Sequence, residues 1–291
     1  MKIQTKHSKI FFYCLCLAFL ALLIYSILIY SNQVYAQTSN HPELPENFGT
    51  ERLEKFNSQI ETTKESIEAS TFVIYDINEQ KIIRSQNALT QLPIASLTKI
   101  ITVVTFLDTA KKSNIELRPE TKLKIQSALV QSSNKDADML GYIYKNSFDR
   151  DLLNDSNKFI SDLGIADLHL TNLTGLDNHD GTASNVGSAT SVAKIFAYVY
   201  QNYRDVFEYT KFDEVDGEFG KIKNTNQQSG KTFGIMASKT GFTLEAGGNL
   251  GVIVSPEPGS AYVILVMKSS KQGRFTDVEK IVKLLPLILK N

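Results

Sequence analysis

Past its first thirty-six residues the chain has no cysteine, because Cys14 and Cys16 both lie in an N-terminal apolar run. The remainder can form no disulfide and has to fold on its core alone. Histidine is scarce as well. His7, His41, His169 and His179 are too scattered for the clustered ligands of a metal-dependent peptidase, so neither a metal nor any other cofactor is expected. Neither sign of charge is in surplus: 31 Lys and Arg face 31 Asp and Glu, which gives no basic footprint for nucleic acid and no acidic solvating tail. With 42% apolar and 21% charged residues among 291, wholesale disorder is argued against and one sizeable domain with appendages is expected.

The most biased stretch is Ile10 to Tyr30, 21 residues without a charge, preceded by Lys2, Lys6 and Lys9 and by no acidic residue. At about 1.5 Å per residue a helix of that length reaches roughly 31 Å, close to the hydrocarbon thickness of a bilayer and longer than a signal-peptide core. A single-pass anchor with the remainder on the extracytoplasmic side is therefore expected. The competing reading is a signal segment cleaved after Val34-Tyr35-Ala36, which would release a secreted protein. Either way three lysines and no acids leave with residues 1–36, and the exported part carries 28 basic against 31 acidic residues.

Residues 37–68 read as a polar spacer, with Pro42 and Pro45, and an amphipathic helix marked by Leu53, Phe56, Ile60 and Ile67. From residue 69 to 291 a catalytic domain is expected. Phe72 to Tyr75, the turn Asp76-Ile77-Asn78 and Lys81 to Arg84 read as a hairpin. Helices are expected over about 96–110, 134–144, 149–163, 188–203 and 276–290, with neighbouring buried strands at Leu250–Val254 and Tyr262–Met267. The pattern predicts an α/β (α+β) domain whose antiparallel sheet draws strands from both ends of the sequence around a helical subdomain.

Ser96-Leu97-Thr98-Lys99 sets a hydroxyl and an amine three residues apart on one helix face, near a helix start whose N–H groups favour an oxyanion and a neutral lysine. Alone the pattern is weak, since Ser132-x-x-Lys135 and Ser191-x-x-Lys194 repeat it as solvated helix faces would. What singles out the first pair is the ordered set it opens: Ser96-x-x-Lys99, then Ser132-Ser133-Asn134, then Lys239-Thr240-Gly241. Ser132 can relay a proton to a leaving amine, and Asn134 can hold a substrate amide while orienting Lys99. Lys239 adds positive charge, Thr240 can bond a substrate carboxylate, Gly241 lets the strand approach the ligand, and the Phe242 N–H can complete an oxyanion hole. The bland alternative is that Ser132 to Asn134 only cap a helix and Lys239 to Gly241 only end a strand.

Over residues 69–291 the sequence resembles the low-molecular-weight penicillin-binding proteins, the serine D-alanyl-D-alanine carboxypeptidases. Leu92 to Lys99 is similar to their nucleophile segment and Asn172 to Asp177 to their Asn-x-x-Gly-Leu loop; Asn224-Thr225-Asn226 and Ser238 to Thr243 fit as well. The resemblance implies a β-lactamase/transpeptidase-like fold with Ser96 acylated, Lys99 as general base and Ser132 and Asn134 as second-element groups. Lys239 and Thr240 would bind the substrate carboxylate with Arg274 nearby. It implies peptidoglycan stem peptides as substrates and β-lactams as covalent inhibitors, with D-alanine removal as the reaction. An endopeptidase or transpeptidase on the same fold, a class A-like β-lactamase and a non-catalytic muropeptide-binding module are the alternatives. The β-lactamase needs a Glu-x-x-Leu-Asn loop, and Asn134 to Lys239 contains none. Two departures from the family are a short Ser96 to Ser132 spacing, which bears on the cleft, and no β-rich domain or amphipathic tail in the sequence to 291. The expectation is that the N-terminal segment takes over the tethering.

Overall fold

The computed structural model describes residues 67–178, 180–232 and 234–289. The expected membrane segment, the spacer and nearly all of the expected amphipathic helix lie outside the described residues. In chain order the elements are β1 (Thr71–Asp76), β2 (Lys81–Gln86), β3 (Gln91–Pro93), a 3-10 turn (Ala95–Leu97), α1 (Thr98–Lys112), α2 (Pro119–Val130), α3 (Asn134–Phe148) and α4 (Leu152–Asp162). They continue with β4 (Val186–Ser188), α5 (Ala189–Asn202), α6 (Arg204–Glu208), a second 3-10 turn (Tyr209–Lys211), β5 (Glu214–Gly217) and β6 (Gly220–Lys223). The chain then returns through β7 (Ile235–Thr243), β8 (Gly247–Val254), β9 (Tyr262–Ser269) and α7 (Gly273–Ile288).

Five strands form one antiparallel sheet in the order β2-β1-β9-β8-β7, so the first and last stretches of the domain meet at its middle, β1 beside β9. Strand periodicity explains why β9 is apolar almost throughout. Ile264 and Val266 face α7, where Phe275, Val278, Ile281 and Leu285 cover them, while Val263, Leu265 and Met267 face the helical side with Val103, Phe196 and Ala193. Each such buried chain contributes roughly 1.5–3 kcal/mol. The buried Asp277 carboxylate ties the layers, accepting the Glu68 and Ala69 N–H groups, both at 3.0 Å, and the Ser269 hydroxyl at 2.7 Å.

The helical side departs from expectation in three places. The helix α2 was not anticipated, although Pro119 sits in its first turn, where a missing N–H costs nothing. The small β5–β6 hairpin, four residues a side, is too short and too polar to leave a strand period in the sequence. The helix expected from Ser96 instead begins as a 3-10 turn, with α1 taking over at Thr98. That turn packs on β7, the last strand of the sheet, and the cleft lies along this edge.

Candidate active site

The sequence segments Ser96 to Lys99, Ser132 to Asn134 and Lys239 to Phe242 converge beside the free edge of β7. Lys99 is fully buried, and its Nζ lies 2.8 Å from Ser96 Oγ and donates to the Thr174 carbonyl at 2.6 Å. Burial lowers its pKa from the usual value to about 7, opposed by the negative charge of Asp138. The Asp138 carboxyl is itself pushed up by partial desolvation, with Lys99 pulling it down. Left-handed backbone positions both serines: Ala95, just before Ser96, has φ +47°, and Ser132 itself has φ +61°, a region that non-glycine residues seldom adopt.

Ser132 Oγ accepts a 2.7 Å hydrogen bond from Lys239 Nζ, which also donates to the Thr240 carbonyl at 2.9 Å. Lys239 is buried, and desolvation together with the charges of Lys99 and Arg274 holds its pKa well below the ordinary lysine value. Ser133, not Ser132, caps α3, accepting the Asp136 N–H at 3.2 Å. The capping alternative thus falls on the middle residue and leaves Ser132 Oγ to Lys239.

Asn134 departs from expectation. Among the described residues no hydrogen bond joins it to Lys99; the Thr174 carbonyl holds the lysine instead, and Asn134 Oδ1 is buried without a partner. A buried orphan acceptor costs on the order of 1–3 kcal/mol until something donates to it, which fits a substrate N–H. Thr240 Oγ1 lies 2.6 Å from Thr225 Oγ1. Arg274 is buried, donates from Nη1 to the Gly241 carbonyl at 2.6 Å and leaves Nε unpartnered; desolvation lowers its pKa to about 10. Buried Lys239 and Arg274 act on each other through their charges, an arrangement that an anion relieves.

Gly241 runs against the Ile94 to Ser96 segment. A Cβ there would sit 3.0 Å from the Ile94 carbonyl and 3.2 Å from the Ser96 nitrogen, so a larger residue would force the two segments to give by a few tenths of an ångström. The Ser238 N–H donates to Thr210 Oγ1, away from β8, and strand alternation turns the Thr240 and Phe242 N–H groups to that same free edge. The Phe242 N–H thus points to the side where Ser96 lies, while the residue is 38% exposed, with the Lys271 ammonium over its ring.

Sequence reasoning missed the scaffold of the Asn172 loop. Asn172 Oδ1 accepts the Thr174 and Gly175 N–H groups, and Gly175, at φ +78°, comes so close that a Cβ would lie 1.9 Å from the Ala95 carbonyl. Buried Asn185 supports the loop from below: its Oδ1 accepts the Thr171 N–H at 2.7 Å and its Nδ2 donates to Thr98 Oγ1 at 2.8 Å and the Asn172 carbonyl at 3.0 Å. No motif signalled Asn185. Among the described residues there is no group of His, Cys, Asp and Glu able to hold a metal ion.

A family model described as D-alanyl-D-alanine carboxypeptidase matches residues 58–139 and 123–271. D-alanyl-D-alanine carboxypeptidase DacA of Haemophilus influenzae is 23% identical over 255 residues, 77% of this chain and 63% of that protein. A D-alanyl-D-alanine endopeptidase of the same organism is 26% identical over 208 residues, 62% of this chain and 69% of its own. Thus this chain spans less than two thirds of the first of these relatives. In fold it is similar to a penicillin-binding protein of Listeria monocytogenes in its cefotaxime-bound form, with TM-score 0.66 and 24% identity over 75% of this chain and 97% of that one. It is also similar to a peptidoglycan synthesis regulatory factor of Streptococcus pneumoniae, with TM-score 0.68 and 22% identity over 76% and 80%.

Proposed function

The chain belongs to the D-alanyl-D-alanine carboxypeptidase family, and from that premise we propose that it removes the terminal D-alanine of peptidoglycan stem peptides through an acyl-enzyme on Ser96. The observation that carries this reading is the buried Lys99 amine, 2.8 Å from Ser96 Oγ with its pKa brought down to about 7. As a neutral amine Lys99 donates an N–H to the Thr174 carbonyl and turns its lone pair to the Ser96 O–H. Ser96 then attacks the carbonyl of the penultimate residue while Lys99 takes its proton, and the oxyanion meets the N–H groups of Ser96 and Phe242. Asn134 Oδ1 accepts a substrate N–H. The terminal carboxylate is held among Lys239, Thr240 and Arg274. As the C–N bond breaks, the leaving amine takes a proton from Ser132, which Lys239 resupplies along their 2.7 Å hydrogen bond. The proton that Lys99 took from Ser96 passes to Lys239, which restores both groups; water then attacks the ester, and Lys99 takes its proton and returns it to Ser96 Oγ as the acyl C–O bond breaks.

β-Lactams would acylate the same serine and leave slowly, because no Glu-x-x-Leu-Asn loop lies between Asn134 and Lys239 to activate a deacylating water. The site would lie on the extracytoplasmic side of the cell membrane, tethered by residues 10–30, or secreted if the chain is cut after Ala36. Support for the tether is the sequence alone. Among the described residues no helix is long and apolar enough to cross a membrane, and residues 10–30 lie outside them.

Incubating residues 37–291 with a pentapeptide ending in D-Ala-D-Ala, a cross-linked dimer and a pentapeptide plus an amine acceptor separates the three acyl-transfer activities. Release of D-alanine from the monomer, lost in Ser96→Ala, is the expected result. Cleavage of the dimer alone, or product only with the amine, would replace it with the endopeptidase or transpeptidase reading.

A further inference from the structure

The Asn224-Thr225-Asn226 segment has no part in the chemistry above, yet it touches both walls of the cleft. Asn224 fastens it down, its Nδ2 donating to the Thr210 and Phe212 carbonyls and its Oδ1 accepting the Asn226 N–H at 2.8 Å. Thr225, held between them, reaches two ways. Its N–H donates at 3.0 Å and its hydroxyl at 3.3 Å to the carbonyl of Val130, the last residue of α2 and two before Ser132. The same hydroxyl lies 2.6 Å from Thr240 Oγ1, and among the described residues Thr225 is the hydrogen-bond partner of that oxygen.

Two hydroxyls at this distance share one proton between them, and either can be the donor. In one order Thr240 donates to Thr225 and Thr225 donates on to Val130; the proton of Thr240 is then committed and cannot meet an anion. In the other, Thr225 turns its proton to Thr240, and the proton of Thr240 is free for an acceptor in the cleft. Reversal costs little, because the bond given up is the long 3.3 Å one and the Val130 carbonyl keeps the Thr225 N–H. In the second order the two O–H groups point in series at the anion and polarise one another.

We propose that Thr225 is a positioning residue for the terminal carboxylate of the substrate, acting through Thr240: the bound carboxylate reverses the Thr225–Thr240 hydrogen bond and draws the Thr240 proton to itself. This rests on the carboxypeptidase reading, in which Thr240 meets that carboxylate. The device serves selection. A free carboxylate takes the reordered proton, whereas an ester or an amide gains less from it, so the pair favours chain ends.

The test is the ratio of kcat/KM for a peptide ending in a free D-Ala-D-Ala carboxylate to that for its terminal methyl ester, in the parent, Thr225→Val and Thr225→Ser. Valine keeps the shape, removes the rotatable proton and leaves the nearly buried Thr240 oxygen without its donor. The ratio should fall about tenfold or more in Thr225→Val, in the range of a hydrogen bond to a charged group. It should return in Thr225→Ser, and KM for the carboxylate peptide should carry most of the change. Equal loss on both peptides, or an unchanged or increased ratio, overturns the inference. If Thr225→Val fails to fold by its melting curve, the ratio in Thr225→Ala with Thr225→Ser decides by the same criterion. A parent that gives no adduct with penicillin and turns over neither peptide overturns the underlying reading, and the inference with it.

Discussion

A lysine in water keeps its proton to about pH 10.4, so a lysine base at neutral pH has to be made by its surroundings. Here burial makes it, and the Asp138 charge limits how far the shift goes. Only neutral Lys99 can take the Ser96 proton; hence acylation should fall as pH drops through about 7, tenfold per unit well below it, measured as the rate constant for a chromogenic β-lactam. Asp138→Asn removes the group that holds the Lys99 pKa up, and the acid limb should move to lower pH. A limb that moves upward or stays in place would contradict the pairing. The Ser96 and Lys99 relation was legible because, of three Ser-x-x-Lys spacings, only this one opens the ordered set completed by Ser132-Ser133-Asn134 and Lys239-Thr240-Gly241. The partner of Lys99 was not: Asn134 was the polar side chain available to sequence reasoning, while the acceptor found is the Thr174 backbone carbonyl, and every residue type carries one.

Between elements, the cleft depends on how closely backbones can approach. Gly241→Ala would set a Cβ 3.0 Å from the Ile94 carbonyl and 3.2 Å from the Ser96 nitrogen, so β7 and the Ser96 turn have to part by a few tenths of an ångström. Acylation should drop at least tenfold with the melting temperature little changed, since β7 keeps its pairing with β8. Asn185→Ala should behave the opposite way. It orphans buried donors and acceptors of the Asn172 loop and of Thr98, costing about 1–3 kcal/mol, or roughly 2–4 °C in Tm per kcal/mol for a domain of this size. Its loss should show first in thermal denaturation. The hairpin β1–β2 and the strands β8 and β9 were readable because apolar runs of strand length stood between turn residues. The β5–β6 hairpin was not, because Glu214 to Gly217 and Gly220 to Lys223 are mostly exposed and carry almost no hydrophobic period.

At the scale of the whole molecule, one sheet drawn from both ends of the domain holds its edge strand against Ser96, the proposed nucleophile, which comes from the turn that leads into the helical part. The architecture was legible in outline because an opening hairpin and a closing pair of buried strands have to share one core. The most direct test of the acyl-enzyme account is the intact mass of residues 37–291 after incubation with a fluorescent penicillin, beside Ser96→Ala, followed over hours. One penicilloyl adduct on the parent, persisting on that timescale and missing from the variant, is the expected result; no adduct, or the same adduct on Ser96→Ala, would contradict it.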